Sequence, residues 1–153
     1  MSHLDNRIPP PLIAASAALL IWLFSFLPGH FPLTHGLRIT LMTVLFGAGL
    51  LLGVGGITAF KRAQTTVNPL KPETATTLVT GGVYQYSRNP MYTGLALWLV
   101  VWALYLDSVL ALAGVAAFVG YMTRFQIVPE EQAMQTLFGA QFTLYKARVR
   151  RWL

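Results

Sequence analysis

The residues best placed to do chemistry lie in one stretch, Gly81-Gly82-Val83-Tyr84-Gln85-Tyr86-Ser87-Arg88-Asn89-Pro90-Met91-Tyr92. Three tyrosines, an arginine and an asparagine fall within nine residues of each other. Tyrosine faces attract cations, and a helix N-terminus attracts anions. Asn89 followed by Pro90 predicts a helix start, with Asn89 as N-cap and Pro90 in the first turn. Gly81 and Gly82 predict a tight turn with positive φ before it. The stretch therefore suits a polar ligand held at the mouth of an apolar helix.

The elements that must position this stretch are strongly apolar. Of 153 residues, 55% are hydrophobic and 10% charged, whereas a soluble domain carries about 25% charged residues. An all-α integral membrane protein of one domain, residues 1–153, is expected. Four runs are read as spans: Leu12–Leu27, Ile39–Phe60, Met91–Leu106 and Val109–Val128. The first would be roughly 24 Å long and the second roughly 33 Å, against a hydrocarbon core of roughly 30 Å. Asp107-Ser108 is expected to turn a tight hairpin between the last two. The second run contains Gly47, Gly49, Gly53, Gly55 and Gly56. That spacing predicts close helix packing, and it is compatible with a groove for a lipid chain. No cleavable signal pattern is expected in the Pro-rich leader Met1–Pro11.

Two segments remain outside the spans. Lys61–Asn89 is a 29-residue connection, beyond the usual ceiling of about 12–15 residues for a structureless loop, so it reads as functional. Glu130–Val149 reads as an amphipathic helix, with Met134, Leu137, Phe138, Phe142 and Tyr145 on one face. Pro129 is expected to break or restart the helix before it. Every Lys and Arg except Arg38 falls in the leader, the long loop or the C-terminal region. The positive-inside rule then places those segments, both termini included, in the cytoplasm, a bacterial inner membrane being the natural setting. The basic end, Lys146 to Arg151 with Trp152, reads as a membrane anchor beside an interfacial tryptophan. The net charge of +6 in so apolar a chain suggests anionic lipid rather than nucleic acid. There is no cysteine, and His3, His30 and His35 are remote in sequence from the tyrosine-rich loop, which argues against thiolate chemistry and a metal centre there.

Two motifs carry a resemblance. Thr77-Leu78-Val79-Thr80-Gly81-Gly82-Val83-Tyr84 with Ser87-Arg88-Asn89-Pro90-Met91-Tyr92 is the first. Glu130-Glu131 followed by Phe138-Gly139, Phe142, Tyr145 and Val149 is the second. Together, over residues 60 to 150, the chain resembles the isoprenylcysteine carboxyl methyltransferase and phospholipid methyltransferase superfamily. The resemblance implies a membrane enzyme that uses S-adenosylmethionine, bound near the cytosolic face, to methylate a lipid-like acceptor. Carried over by motif, the cofactor contacts fall on Thr76, Thr77, Leu78, Val79, Tyr84, Asn89, Pro90, Met91, Tyr92 and Glu130. Arg88, Gln126 and Arg124 are the catalytic candidates. Eukaryotic carboxyl methyltransferases have Arg-His-Pro where this chain has Arg88-Asn89-Pro90, so no titrating base is supplied at Asn89. They also have an arginine four residues before the cofactor-binding glutamate; that position here is Gln126, with Arg124 nearby. Phe142 stands in place of the usual tyrosine. The acceptor and its nucleophilic atom stay open. The rival readings are an NADPH-dependent membrane reductase of the sterol-reductase type and a non-catalytic scaffold on a degenerate methyltransferase core.

Overall fold

The computed structural model describes residues 7–65 and 74–153. The leader residues 1–6, with His3, and loop residues 66–73, with Lys71, lie outside the described residues. Those described form helices and connections, with no strand among them. Helix α1 is Pro10–Phe24. It begins two residues earlier than the apolar run, because Pro10 and Pro11 fit a first turn whose N–H groups have no helical partner. Helix α2, His35–Arg62, is 28 residues long and outruns the expected Ile39–Phe60 at both ends. Thr34 caps it by accepting from the Leu37 N–H at 3.4 Å, and Lys61 and Arg62 suit the negative end of its dipole. Helix α3, Pro90–Tyr105, follows the expected start.

The fourth apolar run departs from expectation. Asp107 adopts φ +53, and residues 109–114 first wind through i→i+3 bonds, so α4 proper is only Leu112–Tyr121. A π-helical turn, Met122–Ile127, follows. It leads without interruption into α5, Val128–Arg148. Of the two outcomes expected at Pro129, the restart is the one seen: the proline sits in the first turn of α5, where its missing N–H costs little. The interruption of the amphipathic segment comes instead at Gly139, whose φ of +48 and ψ of −119 kink α5. Only glycine adopts that conformation without strain.

The α2–α3 contact is set by glycine. A Cβ on Gly94 would lie 2.7 Å from the Gly49 carbonyl, and one on Gly49 would lie 2.6 Å from the Trp98 ring. The close packing expected from the glycine spacing is present at Gly49, Gly55 and Gly56, while Gly47 and Gly53 face open space. Between α1, α3 and α4 sits the core of Ile21, Leu99, Phe118, Met122 and Ile127. Trp102 joins it by donating its indole N–H to the Ala18 carbonyl at 3.1 Å. At the far end of α3, Asp107 pairs with Arg38 at 2.6 Å and accepts from the Phe31 N–H at 3.3 Å. That hydrogen bond to Arg38 holds the Asp107 carboxyl below its ordinary value.

The exterior is apolar. Phe26, Val44, Leu51 and Leu144 are more than half exposed. Among the described residues one helix, α2, is long and apolar enough to cross a membrane, and almost none of its apolar window is buried within the protein. A core helix of a soluble protein would be covered. Helices α1 and α3 are apolar but shorter.

Candidate active site

The tyrosine-rich stretch folds as a short 3-10 turn, Gly82–Gln85, entered through Gly82 at φ +62; Gly81 is extended, so one positive-φ glycine suffices where two were expected. The turn sends its tyrosines opposite ways. Tyr84 is buried and Tyr86 is 73% exposed. Tyr84 lies edge-on to Phe60, with ring centroids 5.4 Å apart, and its carbonyl accepts from the Tyr145 hydroxyl at 2.7 Å. Burial pushes the Tyr84 phenol up, aided by Tyr145 and Glu130.

Ser87, fully buried, accepts from the Asn89 N–H at 3.1 Å. Asn89 occupies the N-cap position of α3, yet its side chain caps nothing. Its amide donates instead to the Arg151 carbonyl at 2.8 Å, a contact that outcompetes the expected local cap. Two residues into α3, Tyr92 points at α5. Its hydroxyl donates to Glu130 Oε1 at 2.6 Å. Gln126 Nε2 donates to the same oxygen, also at 2.6 Å. Gln126 reaches it from the π-helical turn one helical turn before Glu130. Wide turns of this kind recur at functional sites.

Glu130 is a partly buried carboxylate whose hydrogen-bond partners are both neutral. Among the described residues no cation pairs with it, and Glu131 beside it adds a like charge. Burial raises its pKa to about 7, against the lowering effect of the Gln126 and Tyr92 hydrogen bonds. Glu131 is its opposite. Burial alone would raise it too, but Arg151 and Arg88 hold it below the ordinary carboxylate value. Arg88 Nη2 lies 2.6 Å from Glu131 Oε1, and Arg151 grips both Glu131 oxygens, at 3.0 and 2.8 Å.

A groove of about 530 Å³ runs along the outside of α3. Pro9–Pro11 form one wall, Gly53, Val54 and Ile57 of α2 another, and Met91, Leu95 and Trp98 the floor. Its lining is almost wholly apolar, and Tyr92 belongs to it. The residue that hydrogen-bonds Glu130 thus also borders an apolar groove.

Of the candidates from sequence, Tyr84, Tyr92, Gln126 and Glu130 come together. Pro90 is buried at the start of α3, and Met91 lies against Gly56 and lines the groove. Arg88 and Asn89 turn instead toward Glu131 and the segment after α5. Arg124 is exposed, with its guanidinium 5.3 Å from the Phe125 ring centroid. Thr76, Thr77, Leu78 and Val79 lie in an irregular stretch, where the Thr76 N–H donates to Thr65 Oγ1 at 3.0 Å. Sequence reasoning missed Tyr145, Glu131, Arg151 and Trp152. Tyr145 fell on the apolar face of α5, and only its hydroxyl hinted at a partner. Arg151 and Trp152 were read as an anchor, whereas Trp152 donates to Thr123 Oγ1 at 3.2 Å.

The family model for phospholipid methyltransferases matches residues 37–141. The chain belongs to the phospholipid methyltransferase family. That match takes in α2, the tyrosine-rich turn, α3, α4 and most of α5, hence Tyr84, Tyr92, Gln126 and Glu130. An uncharacterized protein of Haemophilus influenzae is 43% identical over 63 residues, which are 41% of this chain and the whole of the relative. No solved structure matches. Family membership implies a methyltransferase with a lipid acceptor.

Proposed function

We propose that the protein is a single-domain integral membrane methyltransferase that transfers a methyl group from S-adenosylmethionine to a lipophilic acceptor. Beyond family membership, the observation that carries this reading is Glu130: a partly buried carboxylate with two neutral donors on one oxygen and, among the described residues, no paired cation. Such a group suits a cationic ligand. S-adenosylmethionine supplies an activated methyl on a sulfonium and carries an ammonium as well. The donor set fits it: Glu130 for the ammonium, and the faces of Tyr84 and Tyr92 for positive charge. In this reading Thr76–Val79 and Asn89–Met91 supply the remaining cofactor contacts.

The chain's own part is positioning and dryness. Gln126 and Tyr92 fix the Glu130 carboxylate, so its charge is oriented before a ligand arrives. The apolar groove brings an alkyl chain alongside Tyr92, and its lining excludes water. In this reading α1, α2, α3 and α4 with its π-helical turn are the four spans. The basic segments, and the site with them, face the cytosol. The apolar exterior of α1 and α2 supports a membrane setting.

Titration of the purified, detergent-solubilised protein with S-adenosylhomocysteine, with NADPH in parallel, tests the cofactor. Saturable binding of the nucleoside alone is expected. Binding of NADPH alone would move the reading to a reductase. Binding of neither by folded protein would leave a scaffold.

A further inference from the structure

Past the end of α5 the backbone turns extended at Val149, φ −120 and ψ 132, and runs back across the start of α3. Three successive carbonyls of this segment are taken by two neighbouring residues of the motif. The Val149 carbonyl accepts from Arg88 Nη1 at 2.7 Å. That of Arg150 accepts from the Arg88 backbone N–H at 3.0 Å, and that of Arg151 from the Asn89 amide at 2.8 Å. Arg88 Nη1 also reaches the Lys146 carbonyl at 3.3 Å, so the guanidinium caps the negative end of α5.

Side chains lock the same segment. Glu131 bridges Arg88 and Arg151, and the Arg88 and Glu131 side chains are only 12% and 15% exposed. A pair so desolvated opens when one partner is removed, because the other is left as an uncompensated charge. With Nε and Nη2 of its guanidinium both on Glu131, Arg151 directs its bidentate fork at the protein itself. Among the described residues Arg88 Nε is buried with no hydrogen-bond partner, a cost that the other contacts of Arg88 must offset. The segment ends on Trp152, whose N–H reaches Thr123 in the π-helical turn.

These contacts close a ring around Glu130. Asn89 lies three residues before Tyr92, and Thr123 three residues before Gln126. Tyr92 and Gln126 are the two donors to Glu130. We propose that residues Val149–Trp152 form a strap, held by Arg88, Asn89 and Glu131, that positions Tyr92 and Gln126 on Glu130. Arg88, Glu131 and Trp152 are thus positioning residues: they shape the binding site without touching the ligand. The strap lies beyond the part of the chain that the family match covers. The consequence for binding rests on the cofactor reading above.

The chain has no cysteine, so a single Val149→Cys reports strap docking through its rate of maleimide labelling. S-adenosylhomocysteine affinity and its pH profile are read on the same samples. Glu131→Gln removes the charge that binds both arginines. Trp152→Phe, a milder change that keeps the ring, serves if Glu131→Gln does not fold. Both variants are expected to speed labelling and to weaken the nucleoside by roughly tenfold, about the worth of one charge-assisted contact. In Trp152→Phe, which changes no charge, the pH midpoint of binding should also move upward, as Glu130 loses donors that favour its charged form; in Glu131→Gln the loss of the like charge beside Glu130 opposes that rise, so there affinity is the readout. Labelling that speeds up while affinity and pH midpoint stay put would overturn the strap's role and leave the cofactor reading intact. Labelling that stays slow in both variants would overturn the strap itself. A parent protein that does not bind the nucleoside would overturn the cofactor reading, and the positioning role with it.

Discussion

Replacing Glu130 by glutamine separates what the residue does for binding from what it costs the fold. The amide keeps an oxygen where Tyr92 and Gln126 both donate at 2.6 Å, so the local packing survives. What disappears is the charge. A charge-assisted hydrogen bond is worth about 1.5–3 kcal/mol against about 1 for a neutral one. Glu130→Gln should therefore weaken S-adenosylhomocysteine by about 1–2 kcal/mol, roughly 5- to 30-fold. The pH dependence has a definite sign. Glu130 titrates near 7 in the folded protein, against 4.5 ordinarily. The folded state therefore binds more protons than the unfolded state between those values, and stability falls as pH rises through that window. The full shift would correspond to about 3 kcal/mol, and partial solvent access reduces it to the order of 1–2. Unliganded Glu130→Gln should thus melt higher than the parent at pH 8 and about equally at pH 4.5. Binding runs the other way: a cationic ligand needs the carboxylate charged, so parent affinity should rise from pH 6 to pH 8 and the variant's should not. The assays are thermal unfolding and nucleoside titration at three pH values. A variant that binds as tightly as the parent, or melts lower at pH 8, would refute the reasoning.

Three other changes probe the remaining parts. Gly53 faces open space within the groove; Gly53→Leu should fill it, raising the KM for a lipid acceptor while nucleoside affinity holds. Gly94→Ala would place a Cβ 2.7 Å from the Gly49 carbonyl and should destabilise the α2–α3 pair by about 1–3 kcal/mol, read as a lower melting temperature. Tyr86, 73% exposed, is a topology reporter: a Tyr86→Cys variant should resist an impermeant thiol reagent in intact cells and react once the membrane is opened. Strong external labelling would reverse the orientation.

The parts legible in the sequence were those set by local patterning. The apolar runs gave helices, Asn89-Pro90 marked the start of α3, and the glycines of α2 foretold a close helix approach, which the structure makes at Trp98 and Gly94. Tertiary competition hid the rest. Asn89 is a good cap by type, but the Arg151 carbonyl takes its amide. Pro129 is a helix breaker by type, but it opens α5 after a π-helical turn, and the kink comes at Gly139. Arg88 reads as a catalytic cation, yet Glu131 and the carbonyls of a segment some sixty residues on hold it. Glu131 itself reads as a first-turn carboxylate, and its salt bridges depend on a chain reversal no periodicity announces. The pair of donors on Glu130 was invisible for the same reason: Tyr92 and Gln126 meet only through the packing of α3 against the π-helical turn.

The most direct measurement is methyl transfer itself. Membranes containing the protein would be incubated with S-adenosylmethionine labelled on its methyl group, and label would be counted in the extracted lipid. Transfer by the parent, and strongly reduced transfer by Glu130→Gln at limiting S-adenosylmethionine, is the predicted result. No transfer to lipid in membranes shown to contain folded protein, or equal transfer by the two proteins, would contradict it.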